Sequence, residues 1–122
     1  MNMRTSIRQS GSVAIVDMKG RIVLGEESAA VRDLTRDLLS KGHRNILFNL
    51  GNVDYIDSSG LGSLVGAFTS VKKQGGELKL LNLTDKVESV LQITKLYTVF
   101  DILDDEAVAV KSFKENSQAA TV

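Results

Sequence analysis

The sequence predicts an α/β domain: a mixed β-sheet, made of an N-terminal hairpin and parallel βαβ units, carrying about four helices. Three observations predict it. Short apolar runs such as Val13–Val16, Ile46–Leu50 and Leu78–Leu81 read as strands, and between them lie longer stretches whose apolar residues recur every three or four positions. Glycines punctuate the change from one pattern to the other, at Gly20, Gly42 and Gly75-Gly76. The 122 residues suit one domain, residues 1–122, able to bury roughly two-thirds of its unfolded surface and with no room for a second.

The elements follow in order. Ser6-Ile7-Arg8 and Val13 to Met18 read as strands joined by Gly11-Ser12, a glycine-first pair suited to a type II′ hairpin turn. Gly20 is expected to end the second strand. After Arg21-Ile22-Val23-Leu24-Gly25 a helix begins, with Glu26 and Glu27 in its first turn and Ala30, Val31, Leu34 and Leu38 along one face. Gly42 stops it, and Ile46 to Leu50 is a buried strand, so strand, helix and strand form a right-handed crossover with the strands parallel. Residues 52–57 read as a loop. A helix from about Ser58 to Gln74 follows, with Leu61, Leu64, Val65, Phe68 and Val71 on its apolar stripe, Lys72 and Lys73 at its negative end and Gly75-Gly76 closing it. Gly62 and Gly66 inside this helix each cost about 1 kcal/mol relative to alanine, which close packing, on the sheet in the first place or against a partner, would explain. Glu77 to Leu81 is the next strand. Thr84-Asp85 opens a third helix carrying Val87, Val90 and Leu91, broken at Thr94-Lys95; Val99 to Ile102 reads as an edge strand. Asp104-Asp105-Glu106 head a final helix with Ala107, Val110 and Lys111, and 114–122 lacks an apolar face and is expected to fray.

Composition excludes several functions. Fifteen basic and fifteen acidic residues cancel, which disfavours direct nucleic-acid binding. No cysteine is present and His43 is the single histidine, so neither a disulfide framework nor a zinc site is expected; no metal and no cofactor is implied. Apolar runs are short and the first residues lead to no hydrophobic core of a signal, so a cytoplasmic protein without a membrane span is expected.

The chemistry concentrates in Asp54-Tyr55-Ile56-Asp57-Ser58-Ser59-Gly60-Leu61-Gly62, where an apolar strand gives way to an amphipathic helix. A serine here is ordinarily an N-cap, and Ser58 or Ser59 suits that role with Asp57 beside the positive helix end. A hydrolase triad is excluded by position: His43 precedes the strand whose far end carries Ser58, about seven extended residues of roughly 3.3 Å away. The glycines match neither common phosphate-binding motif, because Gly66 falls one residue beyond the place required. Asp54 and Asp57 alone are too few ligands for a divalent cation.

The run Asp57-Ser58-Ser59-Gly60-Leu61-Gly62, followed by Lys72-Lys73-Gln74-Gly75-Gly76-Glu77-Leu78-Lys79-Leu80, resembles the anti-sigma factor antagonists of the STAS domain family. The likeness spans about residues 5–112, including Gly20 and Thr84. It implies a STAS-like mixed sheet and a non-enzymatic binding module. By motif position it makes Ser58 the serine phosphorylated by a partner kinase, with Ser59 the second choice. It implies partners too: an ATP-binding anti-sigma factor that is itself a serine kinase of histidine-kinase-like fold, and a serine phosphatase. The unphosphorylated form would bind the anti-sigma factor and release a sigma factor to RNA polymerase. Asp57, Ser58, Ser59, Gly60, Leu61 and Gly62, with Arg21 beside them, would form the partner-binding surface. One departure stands out: many antagonists carry G-E-[LI]-D where this chain has Gly20-Arg21-Ile22-Val23, and Arg21, on the same rim of a parallel sheet, is expected near Ser58. The alternative within the family is a scaffold or a sensor of a nucleotide, lipid or anion without a phosphorylation cycle.

Overall fold

The computed structural model describes residues 3–113; the expected fraying of 114–122 lies outside the described residues. The elements are β1 (Arg4–Ser10), β2 (Val13–Ile22), α1 (Glu26–Ser40), β3 (Asn45–Ile56), α2 (Ser58–Lys73), β4 (Glu77–Leu81), α3 (Asp85–Thr94), a 3₁₀ turn (Leu96–Thr98), β5 (Ile102–Leu103) and α4 (Glu106–Ser112). The strands lie side by side in sequence order, β1-β2-β3-β4-β5. The β1–β2 hairpin is antiparallel and every later pairing is parallel. Gly11, at φ 58, supplies the left-handed first position of the hairpin turn.

Strand alternation divides the core between the two faces of the sheet. Ala14, Val16, Met18, Ile46, Phe48, Leu50, Leu78 and Leu80 meet α1, α2 and α3 through Val31, Leu38, Leu64, Ala67, Val87 and Leu91. Val13, Ile15, Leu47 and Leu81 meet Ala109 and Phe113 at α4. Buried on both faces, the middle of the sheet demands the unbroken apolar runs that announce it in the sequence.

Helix ends are closed as the glycines require. Gly42 (φ 92) and Gly75 (φ 82) take the left-handed position after α1 and α2. In α1 the amides of Gly42 and His43 return to the carbonyls of Leu39 and Leu38; in α2 those of Gly75 and Gly76 return to Lys72 and Val71. Both are Schellman closures.

Side-chain links fasten α4. Lys79, 7% exposed in β4, donates from Nζ to the carbonyl and Oγ of Ser112, both at 2.9 Å, and lies 4.9 Å from the centre of the Phe113 ring. From the other edge, Arg8 of β1 donates to both oxygens of Asp17 (2.6 and 2.9 Å) and of Glu106 (2.9 and 3.0 Å). That guanidinium is the main cause holding both carboxyls below their ordinary range.

Four expectations are corrected. Gly20 does not end β2: the strand continues to Ile22, with register shifts between Asp17 and Lys19 and between Gly20 and Arg21. Gly20, at φ 114, lies opposite an extra residue of β3, Asp54, so it faces a bulge rather than ending the strand. Residues 52–56 are strand, not loop, because β3 outruns β4, whose pairing ends at Asn49–Leu81, and stays paired with β2 alone up to Ile56. Of the expected edge strand Val99 to Ile102 only Ile102 is strand, in β5 with Leu103; Phe100 turns inward instead, edge-on to Phe68 with ring centres 5.4 Å apart. The last helix buries Ala109 rather than Ala107, with Val108 left exposed.

Candidate functional site

Two parallel strands deliver the site. Arg21 pairs with Tyr55 and Ile22 with Ile56, so β2 and β3 reach the same rim together. One residue later α2 begins. Asp57 occupies its N-cap position in extended conformation (φ −100, ψ −175). Its Oδ1 accepts from the Gly60 amide at 2.8 Å and its Oδ2 from the Leu24 amide at 3.0 Å, while its own amide donates to the Ile22 carbonyl at 3.2 Å. The carboxylate therefore clasps the start of α2 to the segment between β2 and α1. The backbone donors, Gly60 first and Leu24 next, hold its pKa below the ordinary carboxylate value.

This arrangement reassigns the cap. Asp57, not Ser58 or Ser59, receives the free amide, and the reason is chemical: an ionised carboxylate at a helix N-terminus forms a charge-assisted bond that a neutral hydroxyl does not. Ser58 is thereby released. It is the first residue of α2, exposed, with its hydroxyl on the surface, whereas Ser59 is partly buried.

Behind the serines, Gly60 packs where no side chain fits. A Cβ there would stand 2.0 Å from the carbonyl oxygen of Ile22 and 2.8 Å from its carbon. Leu61 is buried beneath the helix. Gly62 is exposed, and a Cβ on it or on Gly66 would meet nothing within 4 Å, so close packing on the sheet does not explain either glycine.

Arg21 lies on this rim with its guanidinium 5.1 Å from the centre of the Tyr55 ring, a cation–π contact. Among the described residues it forms no ion pair with Asp57. Two exposed apolar side chains beside the clasp escaped the sequence reading: Leu24, 74% exposed, and Tyr55, 41% exposed. Leu24 was legible only as the end of the apolar run Ile22-Val23-Leu24 before Gly25, outside any helical period. His43 precedes β3 and Ser58 follows it, so they stand at opposite ends of a strand of 12 residues. Among the described residues no three His, Cys, Asp or Glu side chains gather as a metal site, and no helix is long and apolar enough to cross a membrane.

A scan against protein families matches the STAS domain over residues 4–109. The chain belongs to the STAS domain family. Among its relatives, the anti-sigma-B factor antagonist of Bacillus subtilis is 35% identical over 102 residues, covering 84% of this chain and 92% of that protein. The crystal structure of a Thermotoga maritima protein described as a candidate anti-sigma factor antagonist superposes with a TM-score of 0.83. It is 27% identical, over 91% of this chain and 95% of that one. The anti-sigma factor antagonist SpoIIAA shares the fold in its unphosphorylated form (TM-score 0.67, 17% identity, 88% and 96% covered) and in its phosphorylated form (0.69, 18%, 88% and 97%). The five-stranded mixed sheet with its four helices is thus the STAS architecture.

Proposed function

We propose that this STAS domain is an anti-sigma factor antagonist switched by phosphorylation of Ser58. One observation carries the reading: Asp57 takes over the capping of α2 and leaves an exposed serine hydroxyl at the helix entrance, unburdened by a structural role. Kinship with the Bacillus subtilis antagonist supports the partner class. In this reading the unphosphorylated rim, with Ser58, Ser59, Gly62 and the flanking Leu24, docks on an anti-sigma factor that is also a serine kinase, and a sigma factor is released to RNA polymerase. Gly60 and Leu61 shape that surface from beneath. A separate serine phosphatase restores the binding form.

The domain is a substrate in this exchange, not a catalyst. The kinase supplies ATP, metal and base, and the Ser58 Oγ attacks the terminal phosphorus of ATP, losing its proton while ADP departs. Asp57 keeps the helix start, and so the hydroxyl, at a fixed place. A phosphate carries about −1.5 to −2 charge at pH 7, and helix N-termini tolerate such charge, so the fold persists. Docking does not: a surface shaped for a neutral hydroxyl must desolvate a dianion next to an ionised Asp57. A mispaired buried interfacial charge costs about 2–5 kcal/mol, roughly a 30- to 4000-fold loss of affinity.

The test is incubation with the cognate kinase and ATP, followed by intact-mass and fragment spectrometry and by calorimetric binding. A single added phosphate on Ser58, with binding lost and melting nearly unchanged, is expected. Phosphate on another residue, no phosphate at all, or undiminished binding by the modified protein overturns the reading.

A further inference from the structure

On the helical face, well along both helices from Ser58, α1 and α2 diverge and leave a groove of about 400 Å³. That volume lies in the range of small-ligand sites. Its floor is apolar, Leu39 and Ala67, and its walls carry Arg32 and Arg36, one helical turn apart on α1, facing Gly66 and Ser70 on α2.

The charge of this groove is only partly compensated. No lining residue is acidic. Of the nearby carboxylates of α1, Asp33 pairs with the lining Arg36 at 3.2 Å on an exposed surface, and Asp37 pairs with Lys41 at 3.0 Å, outside the groove. Exposed pairs of that kind are weak and exchangeable. Arg32 forms no hydrogen bond or ion pair among the described residues, nor does the Ser70 hydroxyl. A chain whose charges cancel overall thus lines one groove with two arginines, one of them held only by an exposed pair.

Gly66 adds an independent observation. It sits mid-helix, where glycine costs about 1 kcal/mol relative to alanine, yet a Cβ there would touch nothing within 4 Å. The chain's own packing does not require it. Its absent side chain keeps the groove open between the two helices.

We propose that the α1–α2 groove is a binding site for a small organic anion, a phosphate monoester or carboxylate with a compact apolar body. The anionic group is held by Arg32 and Arg36, which match planar, multi-oxygen acceptors, and by the Ser70 hydroxyl; the body lies on Leu39 and Ala67 beside Gly66. This site is separate from the Ser58 rim and does not depend on its phosphorylation.

Amide-resolved NMR titration of the whole chain with phenyl phosphate and with benzoate tests it, using phenol as the uncharged control. Saturable shifts at Arg32, Arg36, Gly66 and Ser70 are expected in the millimolar range suited to so small a ligand, with none from phenol. The stronger of the two anions identifies the preferred head group. The double variant Arg32→Gln/Arg36→Gln should bind at least about tenfold more weakly, the loss of one charge-assisted hydrogen bond. Gly66→Leu should fill the groove and abolish the shifts while the protein still melts cooperatively. Shifts centred on the start of α2, unaltered affinity in the double arginine variant, or no saturable shift with either anion overturns the proposal.

Discussion

Two glycines two residues apart should respond to the same substitution with opposite sign. At Gly60 an added methyl would lie 2.0 Å from the Ile22 carbonyl oxygen, backbone against backbone, so α2 must move off the end of β2. Overpacking of this kind costs about 1–3 kcal/mol, and the displaced Ile22 carbonyl loses a hydrogen bond worth about 1 kcal/mol. Alanine's better helix propensity returns at most about 1 kcal/mol. Gly60→Ala should therefore destabilise by about 1–3 kcal/mol, which for a domain of this size lowers Tm by about 4–12 °C. Gly62→Ala, with nothing within 4 Å of its new carbon, should stabilise by up to about 1 kcal/mol. Neither residue has a positive φ, so backbone strain does not confuse the comparison. Urea and thermal unfolding of the two variants beside the parent decide it. If Gly60→Ala melts within a degree or two of the parent, or Gly62→Ala falls as far as Gly60→Ala, the close approach of α2 to β2 is not as described.

The other predictions concern charge and the switch. Ser58→Ala should fold normally, resist the kinase and bind the anti-sigma factor constitutively, Ser58→Asp should fold but bind weakly, and Ser59→Ala should still be phosphorylated at Ser58; mass spectrometry and calorimetry read all three. Asp57→Asn should lower stability at neutral pH and loosen the Leu24 segment, detected as faster hydrogen exchange of the Leu24 and Gly60 amides. Because the Asp57 carboxyl lies below its ordinary value when folded, its stabilisation is present above the unfolded value near pH 4 and disappears as pH falls through the folded one. The same sign holds for Asp17 and Glu106 around Arg8, so Arg8→Gln should flatten the acid limb of the stability curve. At neutral pH it should cost only about 1 kcal/mol, since the cluster is partly exposed and screened.

How much of this could be read from residues alone depended on where each was buried. Ile46 to Leu50 announced itself because parallel strands covered on both faces need apolar side chains on both. The second half of the same strand did not: Gly51, Asn52, Asp54 and Tyr55 are exposed, so its apolar residues reduce to Val53 and Ile56, a spacing without strand period. Phe100 was misread for a related reason, since a β-branched neighbour and an aromatic residue look like a strand whether the ring lies on a sheet or plugs the gap beside Phe68. The place of Ser58 was legible from the change of hydrophobic period at Leu61. That Asp57 would outcompete it for the cap, and that Gly60 was a steric necessity, depended on Leu24 and Ile22, more than 30 residues earlier in the chain. Local patterns carry no trace of such contacts.

The sequential order of the strands bears on how the domain is made. Each parallel strand is laid beside the one immediately before it, so a chain growing from its N-terminus always has the neighbouring edge already in place. The rim with Ser58 draws on β2, the Leu24 segment that follows it, β3 and the first turn of α2, all synthesised before β4, α3 and α4. Arg8 and Lys79 then seat α4 last, from two different strands. Ribosome-stalled chains of increasing length, probed by proteolysis, should accordingly gain protection from the N-terminal end onward, with α4 the final segment to resist cleavage.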